Sequence, residues 1–155
     1  MNKELNFLVI IDETKEMHNA IRYASLRSLR VGGSVVILYT FDNIDFGHWQ
    51  AVENIAEKES RDEAEERIKE YESTILTLSQ RKPKKFIMKG DRIDCIIKFL
   101  EFNKFISDLI LAASSGPVGL GPLISGFTGK FRTKLKVPLT IIPSDLSEEE
   151  IDNLF

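Results

Sequence analysis

Five short apolar runs, each separated from the next by a stretch with helical periodicity, constrain the fold of this chain more than any other feature. The runs cover residues 7–11, 35–39, 86–88, 108–113 and 137–142. Strands that alternate with helices favour a parallel sheet, because parallel neighbours need crossover connections. We therefore predict a single doubly wound α/β domain with a five-stranded parallel sheet and about four helices.

The stretches between the runs repeat apolar residues at three- and four-residue spacing. Helices are predicted over residues 15–30, 50–80 and 92–100, and a short one is predicted to carry Phe127, Phe131 and Leu135. Gly32 and Gly33 provide the stop for the first helix. The segment 42–49 has no periodicity and is predicted to be a loop, as is 114–125.

Composition places the chain among ordinary globular domains. Of its 155 residues, 43% are hydrophobic and 29% are charged, and 21 lysines and arginines face 24 acids for a net charge of −3. The apolar runs are too short to span a bilayer, and the beginning of the chain does not resemble a secretory signal, so we expect a cytoplasmic protein without a membrane segment. The single cysteine, Cys95, cannot form an internal disulfide and is predicted to be buried and inert.

Charge is distributed unevenly along the sequence. Residues 144–155 hold five acids and no base, and we separate this acidic C-terminal tail from the domain at 1–143. The tail is either a frayed, solubilising end or a docking segment for a partner protein, and Ser147 with Glu150 has the spacing of a capping box. The two basic clusters, at 81–92 and 130–136, are not interleaved with aromatic residues in the pattern of a recognisable nucleic-acid module, so no nucleic acid partner is predicted.

A loop rich in glycine, serine and proline follows the fourth apolar run and leads to Lys130. Glycines allow backbone N–H groups to approach an anion, so phosphate binding is one interpretation, and turns with close packing are the other. The loop is neither a Walker A loop nor a dinucleotide fingerprint. Local chemistry leaves the two interpretations open.

Ligands in open α/β sheets bind beyond the carboxyl ends of the strands, where connections leave to opposite faces. Asp12, Thr40, Gly90 and residues 113–116 are predicted at such ends. Asp12 is a candidate for contact with a polar ligand. A helix cap for the first helix is the alternative role of its carboxylate.

These features together resemble the universal stress protein family over residues 5–143. The resemblance rests on Asp12 at the end of the first strand, the Gly32-Gly33 turn, Gly90-Asp91 before the third helix, the fourth strand at 108–111, and the terminal run 137–142. It implies the adenine nucleotide alpha hydrolase-like fold. It also implies that Asp12 faces adenine or ribose and that the backbone around Thr40 contacts adenine.

The nucleotide-binding branch of that family has a Gly, two residues, Gly, nine residues, then Gly followed by Ser or Thr. The matching positions here are Ala113, Gly116, Gly126 and Phe127, so the first and last depart from the pattern. Hydroxyl groups and one ammonium group nearby are candidates to replace the missing phosphate contacts. They belong to Ser114, Ser115, Ser125, Thr128 and Lys130.

The resemblance further implies a homodimer formed through the last strand, with Val137, Leu139 and Ile141 at the shared edge. The first hypothesis is a non-enzymatic stress-response module that binds ATP or AMP, with Mg²⁺ only when a nucleotide is bound. The alternative is a nucleotide-free dimeric module of the same fold that contacts another protein. No catalytic residue and no metal ligand is predicted, because no activated nucleophile and no cluster of ligands at metal spacing is evident.

Overall fold

A computed structural model describes residues 3–42, 50–117 and 119–155 of the chain. Its centre is a five-stranded sheet in which every neighbouring pair is parallel, in the order β3-β2-β1-β4-β5. The strands are β1 (Asn6–Ile11), β2 (Ser34–Phe41), β3 (Lys84–Lys89), β4 (Asp108–Ala112) and β5 (Leu139–Ile142). The predicted doubly wound α/β sheet is confirmed.

Five helices accompany the sheet in the described part of the chain. They are α1 (Met17–Val31), α2 (Gln50–Ser79), α3 (Arg92–Phe102), α4 (Pro122–Thr128) and α5 (Glu148–Asp152). No helix among the described residues combines the length and the apolar character needed to cross a membrane. The loop predicted at 42–49 lies outside the described residues from position 43 onward.

The side chains of β1 alternate between two apolar layers. Phe7, Val9 and Ile11 pack into the layer that also holds apolar residues of α1 and α2. Leu8 and Ile10 pack into the layer that holds residues of α3 and α4. All of these strand residues are buried, as expected for a strand covered on both faces. Helices therefore cover both faces of the sheet, and the ends of its strands and its two edges are left for contact with solvent, a ligand or a partner.

Two of the predicted helix boundaries are set by local chemistry that the sequence displays. Gly32 ends α1 in the left-handed conformation, with φ 70°, and its N–H donates to the Ser28 carbonyl. Asp91 caps α3, because its carboxylate accepts from the Asp94 N–H at 3.1 Å. Cys95 of α3 is buried, as predicted, and burial raises the pKa of its thiol.

The short helix before β5 differs from the prediction. Helix α4 begins at Pro122 and ends at Thr128, so the predicted loop is shorter at its end and the helix does not reach Phe131 or Leu135. Pro122 occupies the first turn, where its missing N–H costs nothing, and Gly129 follows the last residue. Phe131 and Leu135 nevertheless pack against the same core as Phe127. The spacing of these residues therefore indicates that their side chains pack in the core, and it does not indicate a continuous helix.

The acidic tail is not frayed. Its residues form α5, which begins with the predicted capping box of Ser147 and Glu150. Ile151 is fully buried, and Asp152 accepts two hydrogen bonds from the Arg22 guanidinium of α1, at 2.7 and 2.8 Å. The expectation of a solubilising end is therefore wrong. The buried Ile151 side chain and the Arg22–Asp152 hydrogen bonds together dock the acidic segment on α1.

Truncation of Ile151 to alanine is expected to lower the free energy of unfolding by about 3 kcal/mol, the usual cost of a buried large-to-small change. Urea denaturation of the purified protein measures the loss. Leu154→Ala is the matched control, because Leu154 is 59% exposed, and it should change stability by less than about 0.5 kcal/mol. Equal effects of the two variants would contradict the docking of α5.

Candidate functional site

The strand order creates one point where neighbouring strands connect to opposite faces of the sheet. This point lies between β1 and β4, because β2 and β3 follow on one side of β1 whereas β4 and β5 lie on the other. The segments that leave β1 and β4 diverge beyond the carboxyl ends of the two strands. An open α/β sheet binds its ligands in this position.

A crevice opens at this point, and we refer to it as the switch-point crevice. One wall is formed by the segment that leads from β1 into α1, with Asp12, Thr14 and Glu16, and the other by residues 120–124 at the start of α4. Met17 and Ile10 contribute apolar side chains to its floor. The crevice volume is about 30 Å³, which is room for a few water molecules.

The Asp12 carboxylate is held in a fixed orientation. Its Oδ1 accepts from the Thr14 N–H at 3.1 Å and from the Thr14 hydroxyl at 2.7 Å. Among the described residues, its Oδ2 has no hydrogen-bond partner. Helix α1 begins at Met17 with no side-chain cap, so the alternative role of Asp12 as the cap of this helix is wrong. A half-buried carboxylate oxygen is thus left to accept hydrogen bonds within the crevice.

The loop that closes the other wall uses its own polar groups internally. The Ser114 N–H donates to the Leu120 carbonyl at 3.1 Å, and the Ser114 hydroxyl accepts from the Gly116 N–H at 3.2 Å. Ala113 is buried, and its N–H donates to the Ile142 carbonyl at 2.9 Å. Ser115 lies in the same loop without contributing to the crevice wall. Gly121 has φ 102° and turns the chain into α4, which is a conformation that favours glycine.

Gly126, Phe127 and Thr128 belong to α4. Phe127 is 3% exposed and lies in the core, and the Thr128 hydroxyl donates to the Ile124 carbonyl at 2.6 Å. A Cβ at Gly126 would lie 2.9 Å from the Ile93 Cδ1 atom of α3. This glycine therefore permits close packing of two helices.

Two further predicted contacts lie outside the crevice wall. The Lys130 ammonium group is 5.2 Å above the centre of the Phe131 ring. Thr40 is buried at the end of β2, and its hydroxyl accepts from the Arg92 guanidinium at 3.3 Å. The structure brings Asp12 together with the end of the glycine loop and the start of α4, whereas Thr40 and Lys130 are engaged elsewhere.

The crevice is electrostatically unlike a phosphate site. Its described lining includes the carboxyl groups of Asp12 and Glu16 and no lysine or arginine. Sequence reasoning missed Thr14, Glu16 and Leu120. The spacing Asp12-x-Thr14 is a signal for the first, because an aspartate accepts from the backbone and hydroxyl two residues ahead in this kind of turn. The two charged side chains of this otherwise largely apolar lining are hydrogen-bond acceptors, so the crevice suits a ligand with donor groups.

The dimer-edge residues lie at one margin of the sheet. Strand β5 pairs with β4 and has no further neighbour in the sheet. Leu139 is half-buried, Ile141 is 40% exposed, and Val137 lies half-buried just before the strand, which begins two residues later than predicted. The structure thus leaves an apolar strand edge uncovered.

Comparison with solved structures finds close similarity of fold over almost the whole chain. Universal stress protein UspA from Lactobacillus plantarum superimposes with a TM-score of 0.73 at 18% identity, over 92% of this chain and 99% of that one. A universal stress protein family member from Burkholderia pseudomallei gives 0.65 at 13% identity, over 93% and 99%. The chain has the universal stress protein fold.

A third structure with the universal stress protein fold contains a nucleotide. It is a universal stress protein in complex with cAMP, with a TM-score of 0.57 at 12% identity, over 91% of this chain and 98% of that one. No family model and no curated protein matches the sequence. At these identities the similarity establishes the architecture, and function has to be argued from the crevice and the surface.

Proposed function

We propose that this chain is a cytoplasmic, non-enzymatic regulatory module of the universal stress protein type, active in stress responses. In this proposal it is a homodimer that binds an adenine nucleotide in the switch-point crevice. The free Asp12 carboxylate oxygen at the junction of β1 and β4 carries the ligand proposal. The cAMP complex of a protein with the same fold supports the ligand class.

The polarity of the crevice decides which end of the nucleotide enters it. Ribose hydroxyls are hydrogen-bond donors, and a carboxylate beyond the first strand of a doubly wound sheet is a suitable acceptor for them. The phosphates meet no basic side chain in the described lining and therefore point toward solvent. Mg²⁺ is expected only together with these phosphates, and thus only when a nucleotide is bound. Adenosine, AMP and cAMP are therefore expected to bind at least as well as ATP.

A nucleoside is larger than the present volume of the crevice. Entry requires the Leu120 side of the crevice to move away from Asp12 and to give up the hydrogen bond between the Ser114 N–H and the Leu120 carbonyl. This cost lowers the apparent affinity, because only the open form binds. We expect dissociation constants in the micromolar range or weaker.

Isothermal titration calorimetry with adenosine, AMP, cAMP and ATP, with and without Mg²⁺, tests the proposal. Asp12→Asn removes the charge of the acceptor and should weaken AMP binding about tenfold, which corresponds to about 1.4 kcal/mol. Asp62→Asn is the control, since Asp62 lies exposed on α2, and it should bind like the unmodified protein. Equal weakening by both variants, or preference for ATP over adenosine, would contradict nucleoside recognition by Asp12.

A nucleotide-free dimeric interaction module is the second candidate. Hydrogen bonds within the protein already engage the hydroxyl groups of Ser114, Thr128 and Thr40. Few of the predicted donors are therefore left for a phosphate, which favours this second candidate. If none of the four ligands binds, and if denatured protein releases no nucleotide, this second function replaces the first. An unidentified protein is then the expected partner.

The homodimer proposal follows from a contrast between the two edges of the sheet. Strand β3 carries three lysines, and all of them form ion pairs with glutamates of neighbouring segments. They are Lys84, Lys85 and Lys89. Charged edges of this kind prevent pairing with another sheet. Strand β5 has no lysine or arginine and exposes Ile141. We infer that β5 pairs with the β5 of a second copy, as the family resemblance implies.

A further inference from the structure

A second concave surface lies at the opposite end of the sheet from the switch-point crevice. It has a volume of about 420 Å³, and we call it the α1 groove. It is lined by Tyr23, Arg27, Arg30, Val31, Leu154 and Phe155. Arg27 stacks over the ring of Phe7, near the start of β1. At about 3.3 Å per residue, Phe7 lies roughly 13 Å from Ile11 at the other end of that strand. The two surfaces are therefore separate.

The two arginines of the α1 groove differ from the others in the chain. The remaining arginine side chains donate hydrogen bonds to carboxylates, carbonyls or a hydroxyl; they are those at 22, 61, 67, 81, 92 and 132. Among the described residues, neither Arg27 nor Arg30 has a hydrogen-bond or ion-pair partner. The Nε atom of Arg27 is buried without one. A buried donor without a partner is costly, and a bound anion would satisfy it.

Arg27 has a neighbouring carboxyl group that does not pair with it. Asp108 is buried, and its Oδ2 accepts from the Thr140 hydroxyl at 2.6 Å, whereas its Oδ1 has no partner. No ion pair within 4 Å joins Asp108 to Arg27 among the described residues. Arg30 is exposed and adds a second positive charge at the mouth of the groove. Burial raises the pKa of Asp108 whereas the nearby Arg27 lowers it, so the charge of Arg27 is partly offset, and Arg30 supplies the positive charge at the mouth of the groove that an anion would meet first.

The rest of the groove is apolar. The rings of Tyr23 and Phe155 lie 5.3 Å apart at 56°. Leu154 is 59% exposed and Val31 45%, so two aliphatic side chains are left in contact with solvent. Exposed apolar side chains beside unpaired arginines are typical of a surface that recognises an amphipathic molecule.

We propose that the α1 groove is a binding site for a small amphipathic monoanion. Its carboxylate contacts Arg27 and Arg30, and its alkyl or aromatic body lies against Tyr23, Leu154 and Phe155. The volume lies within the range of small-molecule sites, roughly 300–1,000 Å³. The groove is distinct from the switch-point crevice, because the two surfaces share no residue.

Decanoate is the probe for this site, and backbone amide NMR shifts with calorimetry are the readouts. Saturable binding of decanoate is expected, with shifts centred on α1 and residues 151–155, and with no saturation by acetate or by decylammonium at the same concentrations. Arg30→Gln should weaken decanoate binding about tenfold. Arg132→Gln is the control, since Arg132 is an exposed arginine outside the groove, and it should leave the affinity unchanged.

Arg27→Lys keeps the charge but removes the planar fork of donors, and it should also weaken binding about tenfold while the thermal midpoint without ligand stays close to that of the unmodified protein. The proposal is overturned if decylammonium binds as well as decanoate. It is equally overturned if Arg30→Gln and Arg132→Gln have the same effect, or if the shifts centre on Asp12 and Leu120.

Discussion

Substitution of Ile141 by lysine is expected to convert the proposed homodimer into monomers. Ile141 is 40% exposed on the outer edge of β5, so the folded monomer accepts a lysine at a cost of about 1 kcal/mol or less. In a dimer joined through β5, the two ammonium groups would be buried near each other and would raise the dimer Kd at least ~100-fold. Sedimentation velocity measures the change, from twice 17.7 kDa to 17.7 kDa.

Phe102→Lys is the matched control for this experiment. Phe102 is 82% exposed at the end of α3, so the change removes a larger apolar surface without touching β5. This variant should remain a dimer. A dimer that survives Ile141→Lys, or that dissociates equally in Phe102→Lys, would show that β5 is not the interface. A protein that is monomeric before any substitution would exclude the dimer itself.

Substitution of Gly33 by alanine is expected to cause the largest loss of stability among glycine-to-alanine changes at the eight glycines that the structure describes. The added Cβ would collide with the Leu5 carbonyl oxygen, which accepts from the Ser34 N–H at 2.9 Å and so starts the pairing of β2 with β1. Because the obstacle is backbone, relief requires the strand itself to shift. We expect a loss of about 3 kcal/mol, or roughly 10 °C in the thermal midpoint.

The neighbouring Gly32 provides the comparison, since an alanine there meets no atom within 4 Å but must adopt φ 70°. Its cost is conformational and should be about 1 kcal/mol. Calorimetry of both variants separates the two causes. A Gly32→Ala variant that is less stable than Gly33→Ala would mean that the turn conformation, and not the approach to Leu5, limits this position.

The fold was accessible from sequence because each strand carries its own signal. The continuous apolar runs at 7–11 and 35–39 indicate strands buried on both faces, and Gly32 and Asp91 mark helix boundaries by chemistry that acts within a few residues. The parallel, doubly wound arrangement follows from the alternation of strands and helices and the need for crossover connections, whereas the order of the strands came only from the structure. Each of these signals is local or follows from a general rule of topology.

The errors in the prediction arose in segments where the spacing of apolar residues does not indicate correctly which residues are helical or buried. Phe127, Phe131 and Leu135 share one core at a spacing of four, yet only the first is helical. Pro122 and Gly129 carried the correct boundary signals, and they were outweighed by the apolar spacing. Ile151 was misjudged because its segment has five acidic residues and no base. This composition predicts an exposed end, although the Ile151 side chain is fully buried.

The candidate site was only partly predictable because its content depends on contacts between distant segments. Asp12 was found from its position after β1. The acidic character of the crevice was missed, since it results from Asp12 and Glu16 lining it while the opposite wall, at residues 120–124, supplies no basic side chain. The internal partners of Ser114 and Thr128 likewise appear only when the loop is folded. Sequence spacing identifies which hydroxyl groups lie near the candidate site, but it does not show which of them already form hydrogen bonds within the protein.

The central position of β1 has a consequence for synthesis on the ribosome. Its first neighbour, β2, is complete by Phe41, but its second neighbour, β4, is complete only at Ala112. At 5–20 residues per second, one edge of a fully apolar strand stays unpaired for roughly 4 to 14 s. Nascent chains in that interval present Phe7–Ile11 as a template for intermolecular pairing. Synthesis rate and chaperone supply, more than final stability, are thus expected to set the yield of this protein.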